Sequence, residues 1–203
     1  MENKSATSTD PIIPTTDDTI AFTSPVTHTK NSPSDWGRFW RQLCFIPFLH
    51  NRWLSPTAKA NLTQAVGQAE VGHRGEVFLV VENTLPLHTA RFHNCRERAI
   101  DLFSLYRIWD TEDNTGVLVY LNVCERKLEI VADRGISSRV MPTVWQAICD
   151  KAVADIKADK PVESLQKLLL EIGQLLRQHA QAHSGIGIDP NGNELSDEVV
   201  YLR

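Results

Sequence analysis

The run GVLVYL, residues 116–121, constrains this chain more than any other stretch. Five apolar residues in succession after Gly116, most of them β-branched or aromatic, read as a strand buried on both faces. KLEIVA at 127–132 follows after a short polar link, and two strands joined that closely must run antiparallel. The earlier run GEVFLVVE, 75–82, is separated from GVLVYL by a helical pattern, so that pair is most simply parallel with a right-handed crossover.

Helix signals fill the spaces between these runs. Ser55 can cap, Pro56 suits a first helical position, and Ala58, Leu62, Ala65, Val66 and Ala69 recur on one face before Gly72 stops the pattern. Asn94 with Glu97 three residues on forms a capping-box pattern, followed by Cys95, Ala99, Leu102, Phe103 and Tyr106 in a helix ending near Trp109. A third helical region runs from Val140 to about Ile156, with Met141, Val144, Trp145, Ile148 and Cys149 on its packing side. A fourth spans about 162 to 183, with Leu165, Leu168, Leu169, Ile172 and Leu176 as its stripe. Together these predict an α/β protein, a three-layer α/β/α sandwich on a small mixed sheet of about four strands.

At 203 residues the chain fits one domain with extensions. Residues 1–35, rich in Ser, Thr, Pro and Asp, cannot bury enough apolar surface to offset chain entropy and read as a disordered tail. Segment 36–54 holds three Trp, three Phe and three Arg with no acid, a basic aromatic belt. Its aromatic residues Trp36, Trp40, Phe45, Phe48 and Trp53 are expected to fold back over the sandwich, with a membrane headgroup zone or a protein partner as the alternatives. Residues 55–183 make the domain, and 184–203 a C-terminal arm in which EVVYL is either an edge strand or a reach toward a partner.

With 21 Lys plus Arg against 25 Asp plus Glu, the net charge of −4 argues against nucleic acid as a partner. Four cysteines, at 44, 95, 124 and 149, are widely spaced without a CxxC pair and read as reduced, mostly buried thiols. No apolar core of a secretory signal follows a basic start, and no apolar run reaches the ~18–20 residues of a spanning helix. The expected location is the cytoplasm, with a peripheral contact at the inner membrane open to the aromatic belt.

The strand directions gather distant residues at one end of the sheet. The loop before GVLVYL supplies Asp110, Glu112 and Asp113, the turn after KLEIVA supplies Asp133 and Arg134, and the entry to GEVFLVVE brings His73 and Arg74. Carboxylates with amide oxygens from irregular loops suit hard divalent cations, and Asn114 or Thr115 can add a side-chain oxygen. A cation there, with Arg74, Arg134 and the free N–H groups of the helix after Gly135, would also suit phosphate. The other reading is ordinary: the two arginines neutralise the acids in surface pairs worth ~0–1 kcal/mol each.

At these residues a resemblance also enters. RERAIDLFSLYRIWDTEDNTGVLVYL, then LEIVADRGI, then WQAIC, resembles the TPM domain over about residues 55–183. That family is shared by a thylakoid-lumen protein of photosystem II repair, a membrane-associated bacterial branch and a nematode receptor-modulating branch. The chain looks most like the soluble bacterial branch. The resemblance implies an α/β/α sandwich, a Ca²⁺ or Mg²⁺ site at the acidic loop and acid phosphatase activity. Carried over by motif, the ion-site positions are Asp113 with Glu112 and Asn114, while Asp133 and Arg134 fall in the second motif. Unlike many secreted relatives, the sequence shows no signal peptide and no C-terminal spanning helix with a Gly-rich tail.

Weaker signals are read as structural. His179 and His183 stand i, i+4 near a helix end without a third ligand, and suit the helix dipole better than zinc. DPNGNE at 189–194 imitates the start of a calcium loop but has Glu194 where Gly is needed and Val200 where the closing acid belongs. No phosphate-binding Gly loop, dinucleotide turn or serine elbow occurs. Cys149 reads as a packing residue. The sequence thus favours an accessory module that binds a divalent ion and acts through protein or membrane contacts. A metal-dependent phosphomonoester hydrolase at the same edge is the alternative.

Overall fold

The computed structural model describes residues 36–45, 52–86, 90, 93–158, 160–180 and 195–202. The expected disordered tail 1–35, Phe48, His183 and the 189–194 turn lie outside them, as does the side chain of Trp36. Helix α1 spans Trp36–Leu43, α2 Pro56–Glu70, α3 Cys95–Leu105, α4 Arg134–Ser137, α5 Pro142–Lys157 and α6 Pro161–His179. The strands are β1 Val77–Glu82, β2 Val117–Asn122, β3 Lys127–Ala132 and β4 Val200–Leu202. They form one mixed sheet in the order β3-β2-β1-β4. β1 pairs parallel with β2 and β4, and β2 pairs antiparallel with β3. EVVYL therefore ends in an edge strand.

Local chemistry sets the helix starts as expected. The Ser55 hydroxyl accepts the Ala58 N–H at 3.1 Å, with Pro56 opening α2. Asn94 and Glu97 close a reciprocal capping box at 2.9 and 2.7 Å. Gly72 adopts φ +86°, a conformation only glycine takes at little cost. The third helix ends sooner than its apolar pattern suggested: Leu105 is its last residue, and Arg107 turns to φ 55°.

Every residue of β1 and β2 is buried, because alternate side chains enter different cores. Val77, Leu79, Val81, Val117, Val119 and Leu121 pack against α2, α5 and α6. Phe78, Val80, Leu118 and Tyr120 face the other way, onto α3. The α6 stripe Leu165, Leu168, Leu169, Ile172 and Leu176 is wholly buried, as its spacing predicts. Each such side chain stabilises the fold by about 1.5–3 kcal/mol. Met141 departs from expectation: it sits ahead of Pro142 rather than on the helix face and is 68% exposed.

Of the aromatic belt, part folds back as composition suggested and part does not. Trp53 and Leu54 do pack on the larger core, but Trp40 stays 57% exposed. What anchors α1 is polar. The Gln42 amide donates to Glu125 Oε1 at 2.7 Å and accepts the Leu85 N–H at 3.0 Å, while Arg41 pairs with the same carboxylate at 3.1 Å.

Between α3 and the sheet lies a buried charge with all its needs met. Glu82, 1% exposed, accepts from Arg98 Nη2 at 2.7 Å and from the Tyr120 hydroxyl at 2.5 Å, and Asn122 donates to that hydroxyl at 3.0 Å. Removing one partner of such a pair strands the other charge in the interior. Arg98→Ala is expected to cost about 3–5 kcal/mol in urea denaturation, whereas Arg107→Ala, on an exposed pair, should cost ~0–1 kcal/mol; equal losses would contradict this reading.

Candidate functional site

The acidic loop is shaped by backbone and hydroxyl contacts before any charge is considered. Thr111 is its organiser: its carbonyl accepts the Asn114 N–H at 3.1 Å and its hydroxyl accepts the Thr115 N–H at 3.0 Å. The Thr115 hydroxyl then donates to the Arg74 carbonyl at 2.9 Å, which fixes Arg74 beside the loop. Two glycines let the chain pass. A Cβ on Gly116 would meet the Ile108 carbonyl oxygen at 2.0 Å, and one on Gly135 would meet the carbonyl oxygens of Asp113 and Asn114 at 2.3 and 2.5 Å. Gly135 also donates its N–H to the Asn114 carbonyl at 2.8 Å, and Asp133 donates its own to Gly116 at 2.9 Å. The loop and the turn after β3 are thus one rim.

Onto that frame the side chains divide into three groups. Arg74 is the hub of the first: its guanidinium pairs with Glu112 and, at 3.3 Å, with Asp113. Asp110 turns away to pair with Arg107. Asp133 forms the third group alone. It is 1% exposed and caps α4, with Oδ1 accepting the Arg134 N–H at 2.6 Å. Its other oxygen, Oδ2, is buried and has no hydrogen-bond partner among the described residues. Burial raises the pKa of this carboxyl above the ordinary aspartate value, against the pull of the Arg134 N–H and charge. The Arg134 side chain itself is exposed. Asn114 contributes its carbonyl and adopts φ 53°. His73 faces inward as a core residue, Nε2 donating to the Ala69 carbonyl at 2.6 Å and Nδ1 accepting the Gly75 N–H at 3.0 Å.

Among the described residues no three His, Cys, Asp or Glu side chains stand together in a metal-holding group. The donors at this rim that fit a hard cation are of another kind. They are one buried carboxylate oxygen lacking a partner, that of Asp133, and the loop carbonyls of Asp113 and Asn114 packed against Gly135.

A second set of acids at the same end of the sheet escaped the sequence reading. Glu70 closes α2, and its Oε1 accepts the Val77 N–H at 2.8 Å. Glu76, 5% exposed, accepts the Leu195 N–H at 3.4 Å. Asp197, from the segment before β4, packs on Gly67 and hydrogen-bonds Glu70. Burial first, then the two neighbouring acids, push the Glu70 carboxyl up to about 9. Only the pairing of β4 with β1 brings Asp197 here, so local spacing carries no signal of it.

The sequence model of the TPM domain matches residues 50–175. This chain belongs to the TPM domain family. Its fold is shared by the BA42 protein of the psychrophilic bacterium Bizionia argentinensis, whose NMR structure aligns with TM-score 0.61 at 20% identity, covering 72% of this chain and 94% of that one. No curated protein matches the sequence. The TPM match spans both halves of the rim, loop 110–115 and turn 133–135, together with the capped helix α3 between β1 and β2. No described helix is long and apolar enough to cross a membrane. The four cysteines are free thiols, with Cys95, Cys124 and Cys149 buried and Cys44 exposed.

The Glu70 shift has a measurable consequence. Because the folded pKa lies above the ordinary value of 4.5, the protonated carboxyl favours folding; that contribution is complete below about pH 4.5 and is lost as pH rises through about 9. Glu70→Gln mimics the protonated form. It should leave the melting temperature unchanged near pH 4.5 and raise it at pH 8.5, by at least the roughly 2–4 °C that one kcal/mol produces in a domain of this size. A variant less stable at both pH values would refute the protonated assignment.

Proposed function

We propose that this TPM domain is an accessory module that binds a divalent cation, Ca²⁺ or Mg²⁺, at the acidic rim. The observation that carries the proposal is the partnerless Oδ2 of Asp133 in a carboxyl group that is 1% exposed. Leaving a buried oxygen unsatisfied costs about 1–3 kcal/mol, more if it is charged. Two things remove that cost, a proton or a cation. The carbonyls of Asp113 and Asn114, packed against Gly135, are oxygens of the type such cations accept, the second already taking the Gly135 N–H. Glu112 and Asp113 supply the negative field around the rim, moderated by Arg74.

A hydrolase needs an activated nucleophile or a tuned acid and base. The buried thiol of Cys149 is pushed the other way, up to about 12. One observation favours the phosphatase reading: the exposed Arg134 follows Asp133 directly and suits a phosphate oxygen. Contacts with a membrane or a partner protein would use α1, where Trp40 is 57% and Leu43 49% exposed.

Calorimetric titration of Ca²⁺ and of Mg²⁺ into the full chain decides between these. Saturable heat with wild type, and an affinity at least about ten-fold weaker in Asp133→Asn, is the expected result; Asn keeps the α4 cap, so the variant folds. No heat with wild type, or equal affinity in the variant, contradicts the proposal. Cation-dependent hydrolysis of an aryl phosphate that Asp133→Asn abolishes would replace the accessory reading with the hydrolase.

A further inference from the structure

At the opposite end of the sheet from the acidic rim, a cavity of about 230 Å³ opens beside the last residues of β2. Its wall is apolar: Trp53, Leu121, Val153 and Ile156 line it. Trp53 comes from the segment before α2, Leu121 from the central sheet, and Val153 and Ile156 from α5, where both are half-buried against the larger core. Two cations, Arg126 and Lys157, are exposed at its mouth. Among the described residues neither side chain makes an ion pair, whereas Arg41, Arg74, Arg98 and Arg107 each hold a carboxylate. Arg126 adopts φ 52° at the turn between β2 and β3. That conformation is uncommon for a residue with a side chain and directs attention to what the position is for.

We propose that this cavity binds a small aromatic acid, its ring against Trp53 and the aliphatic wall and its carboxylate between Arg126 and Lys157. The chemistry of the lining selects that class. An apolar recess with a few convergent polar groups is the usual form of a small-molecule site, and the polar groups here are both cations, so the ligand's head is an anion. A guanidinium presents a planar fork that matches a carboxylate, and a lysine beside it adds charge without demanding geometry. The volume falls below the roughly 300–1,000 Å³ of drug-sized sites, which limits the body to one fused or single ring. The location is also the one at which open α/β sheets bind ligands, outside the carboxyl ends of their parallel strands. The acidic rim lies at the other end of the same strands, so the two sites have opposite charge preference and do not compete.

The test is an NMR titration of the ¹⁵N-labelled full chain with indole-3-acetate, and in parallel with its neutral analogue indole-3-acetamide. The expected result is saturable shifts at the amides of residues 121–126 and 153–157, with half-saturation at or below about 5 mM, in keeping with the affinity a ligand of this size can reach. The acetamide should bind at least about ten-fold more weakly. Arg126→Asn, which tolerates the left-handed backbone, and Lys157→Gln should each weaken the acid several-fold while leaving the spectrum of the rim residues 110–116 unchanged. Shifts that are absent, that fall elsewhere, or that are equal for acid and amide overturn the proposal. So does wild-type affinity in both variants.

Discussion

The acidic rim depends on one steric condition: the backbone of residues 108–115 must pass against two glycines. Gly116 leaves room for the Ile108 carbonyl, and Gly135 for those of Asp113 and Asn114. Any side chain at either position would force the loop off the sheet. The loop then stays in place through hydrogen bonds that involve no charge, from Thr111, Thr115 and the Gly135 amide. Charges are added to a shape already determined. The exposed pairs of Arg74 with Glu112 and Asp113 therefore contribute little stability, while Asp133, held inside the turn, carries the energetic tension of the site.

Buried carboxyl groups are resolved in different ways in this molecule, and the contrast marks the rim. Glu82 is satisfied by an arginine and a tyrosine and behaves as structure. Glu70 is satisfied by a backbone amide and by a proton, with a shift to about 9. Asp133 has one oxygen used and one not. Its raised pKa means that the protonated form favours folding, a contribution lost as pH rises above the usual aspartate range. A cation bound to the same oxygen reverses that dependence, since it takes the charged form and stabilises the fold by mass action. On the proposed reading, proton and metal would compete for the same oxygen.

Much of the fold was legible because β1 and β2 are apolar up to the Glu82 and Asn122 that end them, and the helices before and between them, α2 and α3, announce their caps. Strand directions follow from link lengths, and they place the loop 110–115 beside Asp133. The surface pairing of Arg74 with the acids was one of the two readings open in the sequence; what stayed hidden was which acid each arginine takes. Sequence spacing brought five acids and amides to one edge but could not say that Asp110 would turn to Arg107 or that Arg74 would take both Glu112 and Asp113. Nor could it reveal Glu70 with Asp197, because 127 residues separate them (197 − 70) and only the β4 edge joins them. The aromatic belt was legible only in part, for a related reason: Trp53 packs on the core while Trp40 stays exposed. Composition drew attention to tryptophans, whereas the neutral side chain of Gln42 does the anchoring, through Glu125 and the Leu85 amide.

The central claim is that Asp133 holds a buried carboxyl oxygen that awaits a proton or a divalent ion. Its most direct measurement is the side-chain carboxyl ¹³C shift of Asp133, followed against pH without and with saturating Ca²⁺. The account predicts a midpoint above the ordinary aspartate value of 3.8 in the metal-free protein, and a marked fall of that midpoint when Ca²⁺ is present. A midpoint at the ordinary value, unmoved by Ca²⁺, would show that Asp133 is a simple helix cap and that the rim is only a set of surface ion pairs.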